Sequence, residues 1–379
     1  MSTDAKQIAP KTIIEYPLPA ARETHELVAV DEQRTILISQ QSDSTLIKVA
    51  LNPESGVAQT AARFVIKHAR AGLHGLRNSA AYPGKVWGSL QFDSELLLID
   101  PVVSDVNAPP KIEKCIPLPA PARGPHVVIE DGDDVWTTLK DSHHVMRINH
   151  RDPEDYAIYK SARNPIFVAK HAHSGKFYAS QDQSSKILRI NPKSGKTKQI
   201  DIPAELGKTP VGLIAGPDGN VWFVLLGTST GGTGVFGRIL KKGEIQWFQL
   251  KNNLGKQAAL LHLAFDDCSD TAPAKLWLLA SSIISPNTLD ALIEVRFNQD
   301  YQAIDTISTH VFPTQLNKAH RVLPLRKGVY ATELATSILA HLASSPTENS
   351  KRYDETSDYY AEFGLGVVVE EIHFDPPIK

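Results

Sequence analysis

Residues 210–250, PVGLIAGPDGNVWFVLLGTSTGGTGVFGRILKKGEIQWFQL, hold short apolar runs separated by turn residues. GPDGN at 216–220 is a tight-turn sequence, and the runs flanking it are rich in β-branched and aromatic residues. Glycine supplies the positive φ that a turn needs, whereas Val, Ile, Trp and Phe fit a pleated, half-buried surface. The stretch therefore reads as a small antiparallel sheet. No segment of the chain shows a 3.6-residue apolar period over three turns, so the whole protein is expected to be β-rich.

The run NVWFVL has counterparts along the chain in TILISQ, KVWGSL, DVWTTL, GKFYAS, KLWLLA and GVYATE. Each follows a short segment with a small, Pro or apolar residue first and an aliphatic residue fourth: THEL at 24–27, LHGL at 73–76, PHVV at 125–128, PIFV at 165–168, PVGL at 210–213, LLHL at 260–263 and AHRV at 319–322. Each is followed in turn by an amphipathic strand: LIKVAL, LLLID, VMRIN, ILRIN, FGRIL, LIEVRF and ILAHL. From His25 to His320 is 295 residues over six repeats, about 49 each, close to the spacing of propeller blades. A repeat of this kind cannot bury both faces alone, so neighbours stack around an axis. The expected architecture is all-β, one domain over residues 1–379, a seven-bladed propeller of four-stranded antiparallel blades. TIIEYPLPA at 12–20 resembles the links between repeats and is expected to close the last blade as its outer strand. GLGVVVEEIHF at 364–374 competes for that place, and 344–360 reads as a mobile loop.

Composition removes several classes of function. With 40 Lys+Arg against 42 Asp+Glu, the net charge of -2 lacks the basic excess of a nucleic-acid binder. A chain 42% hydrophobic and 22% charged is globular and not disordered. MSTDAKQIAPK does not read as a secretory signal, and no stretch reaches the roughly 18 apolar residues of a membrane helix. A cytoplasmic protein is expected, with Cys115 and Cys268 as free thiols.

In an antiparallel blade the start of the innermost strand and the end of the second lie at one end of the channel. Inner-strand starts place His25, His74, His126, Ile166, Val211, Leu261 and His320 there. Second-strand ends add Gln40, Leu90, Leu139, Gln181, Leu225, Ala280 and Glu333. Four histidines, a carboxylate and two amides among leucines describe an apolar pocket with a few polar groups, suited to an apolar or aromatic small molecule. The bland alternative for each histidine is a ring bonded to a neighbouring backbone. His320 and Glu333 lie thirteen residues apart, one down-and-back hairpin, and are expected to meet as an imidazole–carboxylate pair for acid/base work. His68, His143, His144, His150, His171, His173 and His341 read as loop or outer-strand residues without a role. GTSTGGTG at 227–234 lacks the ending and helix of a phosphate cradle; with SSIISPNTLD at 281–290 it is a candidate flexible lid.

The motif spacing of 210–250 resembles a blade of the streptogramin lyase (virginiamycin B lyase) family, whose repeats follow P-x-G-I, G-P-D-G-N-x-W-F and I-G-R-I. The frame persists over roughly residues 12–340, fair in the third repeat and weak in the sixth and seventh. The resemblance implies a proton-transfer role for His320 and Glu333. It also implies a partner histidine in the sixth blade and a Mg²⁺ site. That histidine falls on Leu261, with His262 adjacent, and a carboxylate of the family falls on Lys318. Lysine supplies no oxygen ligand, so Mg²⁺ is doubtful and no cofactor is expected. The family's fungal biosynthetic branch, of hetero-Diels–Alderase type, implies a cofactor-independent pericyclase joining a tropolone quinone methide to a terpene. The alternatives are a C–O lyase opening a cyclic ester, a non-catalytic binding propeller, and an iron oxygenase held by four axial histidines.

Overall fold

The computed structural model describes residues 5–7, 9–20, 23–252, 254–266 and 273–344, and the backbone of 371–373. Seven antiparallel sheets follow one another along the chain. The inner strands are Thr24–Val30, Leu73–Asn78, Pro125–Asp131, Pro165–Lys170, Pro210–Ala215, Leu260–Asp266 and Ala319–Leu325. Each begins on the first residue of the repeat segment read from the sequence. The second strands are Thr35–Gln40, Val86–Leu90, Asp134–Leu139, Phe177–Gln181, Val221–Leu225, Lys275–Ala280 and Gly328–Glu333. The expected seven-bladed propeller is the observed architecture.

Alternation in the second strands explains the packing. Trp87, Trp136, Tyr178, Trp222, Trp277 and Tyr330 occupy one position in six blades, each at most 3% exposed, and Leu37 takes it in the first. These large side chains fill the layers between blades. Trp136 stacks on Phe177 of the next blade at 3.7 Å, and Trp222 meets Phe265 of the next blade edge-on at 5.4 Å. Such burial contributes roughly 2–3 kcal/mol per ring.

The ring closes where the sequence places its closure. Ile14–Pro17 pairs antiparallel with Ile338–Ala343 and supplies the outer strand of the seventh blade. Tyr16 and Leu18 are buried there. Farther out, Lys6–Gln7 pairs in parallel with the outer strand of the sixth blade. The C-terminal competitor goes elsewhere: Glu371–His373 pairs with Ala58–Val65 as a fifth strand on the first blade. The loop expected at 344–360 lies outside the described residues after Ser344, as does Cys268. Cys115 is a free, exposed thiol. No helix among the described residues is long and apolar enough to cross a membrane.

Candidate functional site

The inner strands share one irregularity. In every blade the pairing of inner and second strands slips near the strand start: after Thr24, Leu73, Pro125, Pro165, Pro210, Leu260 and Ala319. A bulge sets two residues opposite one, so side chains from two consecutive positions reach the axis. His320, His25, His74 and His126 stand in that order around it, with ring centroids 4.5, 4.3 and 3.9 Å apart. Phe167 follows at 6.2 Å from His126, and His262 at 5.6 Å from Phe167. Arg321 of the seventh blade crosses the axis: its guanidinium lies 4.7 Å over the Phe167 ring, and its Nε donates to Glu26 at 3.1 Å. Close approach of inner strands needs glycine at two bulges. A Cβ on Gly75 would sit 2.5 Å from the His126 carbonyl oxygen, and one on Gly212 would sit 2.8 Å from that of Leu261.

His25, His74, His126 and His320, the four histidines expected at one end of the channel, are therefore brought together, and His262 joins them. The Leu261 position that lacks the resemblance's sixth-blade histidine is compensated by the bulge, which turns the next residue inward. Exposure is 7% for His25, His126 and His320, 8% for His262 and 1% for His74.

Burial holds these imidazoles uncharged. It lowers the His25 pKa to about 3, with the Glu23 carbonyl opposing and Arg321 and Lys140 adding to the fall. His74, His126, His262 and His320 lie well below the usual range, again by burial first, with Arg321 contributing to each. Hydrogen bonds assign the tautomers. His25 Nδ1 lies 2.8 Å from the Glu23 carbonyl oxygen and His74 Nδ1 3.0 Å from that of His126. A carbonyl only accepts, so both rings carry the proton on Nδ1 and keep a lone pair on Nε2. His262 is the reverse: its Nδ1 accepts the Val322 N–H at 3.3 Å, so its proton sits on Nε2. Neither nitrogen of His320 has a hydrogen-bond partner among the described residues. The ring thus presents bases and a donor around a fixed cation.

The expected His320–Glu333 pair does not form. Glu333 pairs across the hairpin with Ala319, while His320 is the bulged residue and has no opposite partner. Glu333 is fully buried, and its carboxyl accepts from Thr336 Oγ1 at 2.6 Å and faces Glu15 and Asp290. Burial pushes its pKa up to about 8, the two carboxyls add to the rise, and the Thr336 hydroxyl opposes it. Glu333 is accordingly a protonated acid at neutral pH.

Other second-strand ends also face away from the mouth. Leu90, Leu139 and Leu225 show no exposure and pack in the layers between blades; Leu261 is 5% exposed and packs with them. Gln40 donates to the Pro19 carbonyl at 3.3 Å, and Gln181 to Gln199 at 2.7 Å, both fully buried. Period-two alternation sends the last strand residue into the blade, and the residue after it toward the mouth. Those next residues include Gln41, Gln91, Lys140 and Asp182. Gln41 donates to Gln91 at 2.6 Å. Lys140 depresses the pKa of His25 and His126, and burial raises that of Asp182. Their polarity at matching repeat positions was the available sequence signal.

The two candidate lids are anchored by buried residues, with Ser229, Thr230, Ile284 and Leu289 exposed. Ser281, Ser285 and Asp290 are fully buried, and Asp290 accepts from the Ser282 N–H at 2.8 Å and hydroxyl at 2.7 Å. In the glycine tract, the Gly234 N–H donates to the Ala258 carbonyl at 3.0 Å. Among the unassigned histidines, His341 stacks on Tyr330 at 4.4 Å and His171 bonds the Ile239 carbonyl oxygen at 3.1 Å, both structural roles.

The donor set at the axis decides which metals it could hold. Mg²⁺ takes oxygen ligands, whereas this end offers imidazoles around a guanidinium, and Arg321 already engages the Glu26 carboxylate. Lys318, where the resemblance puts a carboxylate, is exposed. These residues do not fit a Mg²⁺ site. Among the described residues no three His, Cys, Asp or Glu side chains converge as metal ligands would, which also leaves the iron reading without a site.

No protein-family model matches the chain, and no curated protein matches it. Solved structures do. A catalytically inactive histidine-to-alanine variant of virginiamycin B lyase from Staphylococcus aureus, with quinupristin, aligns with a TM-score of 0.66 and 17% identity, covering 88% of this chain and 99% of that one. A streptogramin B lyase structure aligns at 0.63 and 17% identity, with coverage of 88% and 97%. Hydrazine synthase from Kuenenia stuttgartiensis aligns at 0.62 and 9% identity, with coverage of 86% and 97%. At these identities the likeness concerns the fold: the chain is a seven-bladed β-propeller with the architecture seen in virginiamycin B lyase.

Proposed function

We propose that the chain is an enzyme of natural-product metabolism that moves a proton on an apolar or aromatic small molecule at the histidine-lined end of the axis. The observation that carries this reading is the division of tautomers around Arg321. The Nε2 lone pairs of His25 and His74 serve as candidate bases, and the His262 Nε2–H as a neutral hydrogen-bond donor. The guanidinium stabilises a developing oxyanion. A base removes a C–H proton beside a carbonyl, electrons move into the carbon skeleton, the C–O bond breaks, and the oxygen leaves as a carboxylate that accepts a hydrogen bond from the His262 N–H. Such an elimination opens a cyclic ester. His126 and His320 contribute ring edges to the substrate surface. Glu333 acts outside the reacting set.

The second reading, cycloaddition of a tropolone quinone methide to a terpene, draws on the same donors. The His262 N–H and Arg321 polarise the quinone methide oxygen, and no proton leaves carbon.

Two probes separate these chemistries: quinupristin for elimination, and an o-quinone methide generated in situ with humulene for cycloaddition. One of the two is expected to react in the presence of EDTA. His25→Ala and His262→Ala are each expected to lower that rate by roughly 10²-fold. Unchanged rates in both variants would overturn the assignment. Binding of either probe without conversion would make the protein a binding module.

A further inference from the structure

The seven bulges leave peptide groups beneath the axial side chains, and in four blades the partners of those groups form one series. In the seventh blade, Arg321 Nη1 donates to the His320 carbonyl at 3.0 Å, and the N–H of the same peptide unit, on Arg321, donates to Thr332 Oγ1 at 3.2 Å. The Thr332 hydroxyl donates to the His25 carbonyl at 2.8 Å, and the next N–H, on Glu26, donates to Ser39 Oγ at 3.0 Å. Ser39 donates to the His74 carbonyl at 2.5 Å, and the Gly75 N–H donates to Ser89 Oγ at 2.8 Å. Ser89 donates to the His126 carbonyl at 2.9 Å, and the Val127 N–H reaches Thr138 Oγ1 at 3.5 Å. Thr138 donates to the Ile166 carbonyl at 3.1 Å.

Each hydroxyl accepts from one peptide and donates to the next, so every donor in the series points the same way around the axis. All four hydroxyls occupy the penultimate position of a second strand. Ser180 holds that position in the fourth blade, but its buried hydroxyl has no partner among the described residues. Val224 and Leu279 hold it in the fifth and sixth, and the series ends. The hydroxyl-linked blades carry His320, His25, His74 and His126. His126 is further tied in, because its carbonyl accepts from both Ser89 and His74 Nδ1.

We propose that Thr332, Ser39, Ser89 and Thr138 are positioning residues that link the peptides under the four axial histidines into one unidirectional hydrogen-bond chain seeded by the Arg321 guanidinium. Aligned hydrogen bonds polarise one another, each strengthening its neighbour by about 10–30%. A change at Arg321 is therefore felt at His126, three blades away. The catalytic consequence rests on the proton-transfer reading above; the chain itself does not.

The test is ¹H–¹⁵N NMR of the intact protein. Ser89→Ala is expected to shift the amides of Glu26 and Arg321, which Ser89 does not touch, as well as those of Gly75 and Val127. Ser180→Ala, at the same position with an unpartnered hydroxyl, is expected to leave Glu26 and Arg321 unmoved. Ser89→Thr should restore the wild-type pattern. If Ser89→Ala fails to fold, Ser39→Ala reads the same chain one link earlier, with the Arg321 and Val127 amides as reporters. Shifts confined to Gly75 and Val127, or equal shifts from Ser180→Ala, would overturn the proposal. On whichever probe reacts, Ser89→Ala should lower kcat by about 10- to 10²-fold with little change in KM. The amide shifts need no substrate, so the hydrogen-bond chain can fail or stand independently of the enzymatic reading.

Discussion

Glu333 and the axial histidines pull the stability of this protein in opposite directions with pH, and the balance can be worked out from their surroundings. The groups that face Glu333 are Glu15 on the closing strand, Asp290 before the third strand of the sixth blade, and the Thr336 hydroxyl. Its pKa rises from 4.5 to about 8, so its contribution to stability is complete below pH 4.5 and is lost as pH climbs through about 8. His25, His74, His126, His262 and His320 are depressed from 6.5, so theirs is complete above pH 6.5 and lost as pH falls. Stability should therefore peak near pH 6.5. Between pH 6.5 and 8 the folded state binds one proton more than the unfolded state, at about 1.4 kcal/mol per pH unit, a loss of about 2 kcal/mol. Glu333→Gln keeps the shape and the donor toward Glu15 without a titrating group. Urea denaturation at half-unit pH steps should show the alkaline loss in the wild type and a flat profile in Glu333→Gln. Parallel declines in both proteins, or a wild-type curve that rises to pH 8, would refute the reasoning.

Deleting residues 1–20 removes the outer strand of the seventh blade with buried Tyr16 and Leu18, and should lower stability by roughly 3–6 kcal/mol, read as a fall in Tm. Arg321→Met leaves Glu26 without its cation, should cost about 3–5 kcal/mol, and should raise the titration midpoints of the axial histidines in NMR. Lys48 is buried and its ammonium donates to the carbonyls of Pro101, Val102, Asp105 and Ala108 at 2.7–3.0 Å. Lys48→Met should therefore free that loop to protease cleavage between 101 and 108 at a cost of roughly 1–3 kcal/mol.

The blade frame was legible because packing demands it. An aromatic residue at one place in six of the seven second strands, from Trp87 to Tyr330, and turn residues on either side leave a period of propeller-blade length. The closing strand was legible for the same reason, since TIIEYPLPA repeats the composition of the interblade links. The axis is less legible. A single bulged residue changes which side chain faces inward, so the apolar Leu261 concealed His262, and the thirteen-residue spacing of His320 and Glu333 suggested a contact the bulge prevents. Strand-final residues such as Gln40 and Leu139 lie one step before the polar residues Gln41 and Lys140. The packing of 281–290 was not visible because Ser and Thr there read as solvated, whereas Asp290 collects their hydrogen bonds inside the protein.

The seam at the seventh blade has a consequence for how the protein is made. Glu15 accepts from both the backbone N–H and the hydroxyl of Thr314, 299 residues later in the chain. At 5–20 residues per second, translation takes roughly 15–60 s to bring out that partner. Throughout that interval the nascent chain carries an early strand with no place to dock and a growing stack of blades whose last face is open. Tyr16 and Leu18 meet solvent or a chaperone until Ile338–Ala343 emerges. Synthesis speed over all seven blades then sets how long the molecule remains vulnerable to pairing with another copy of itself.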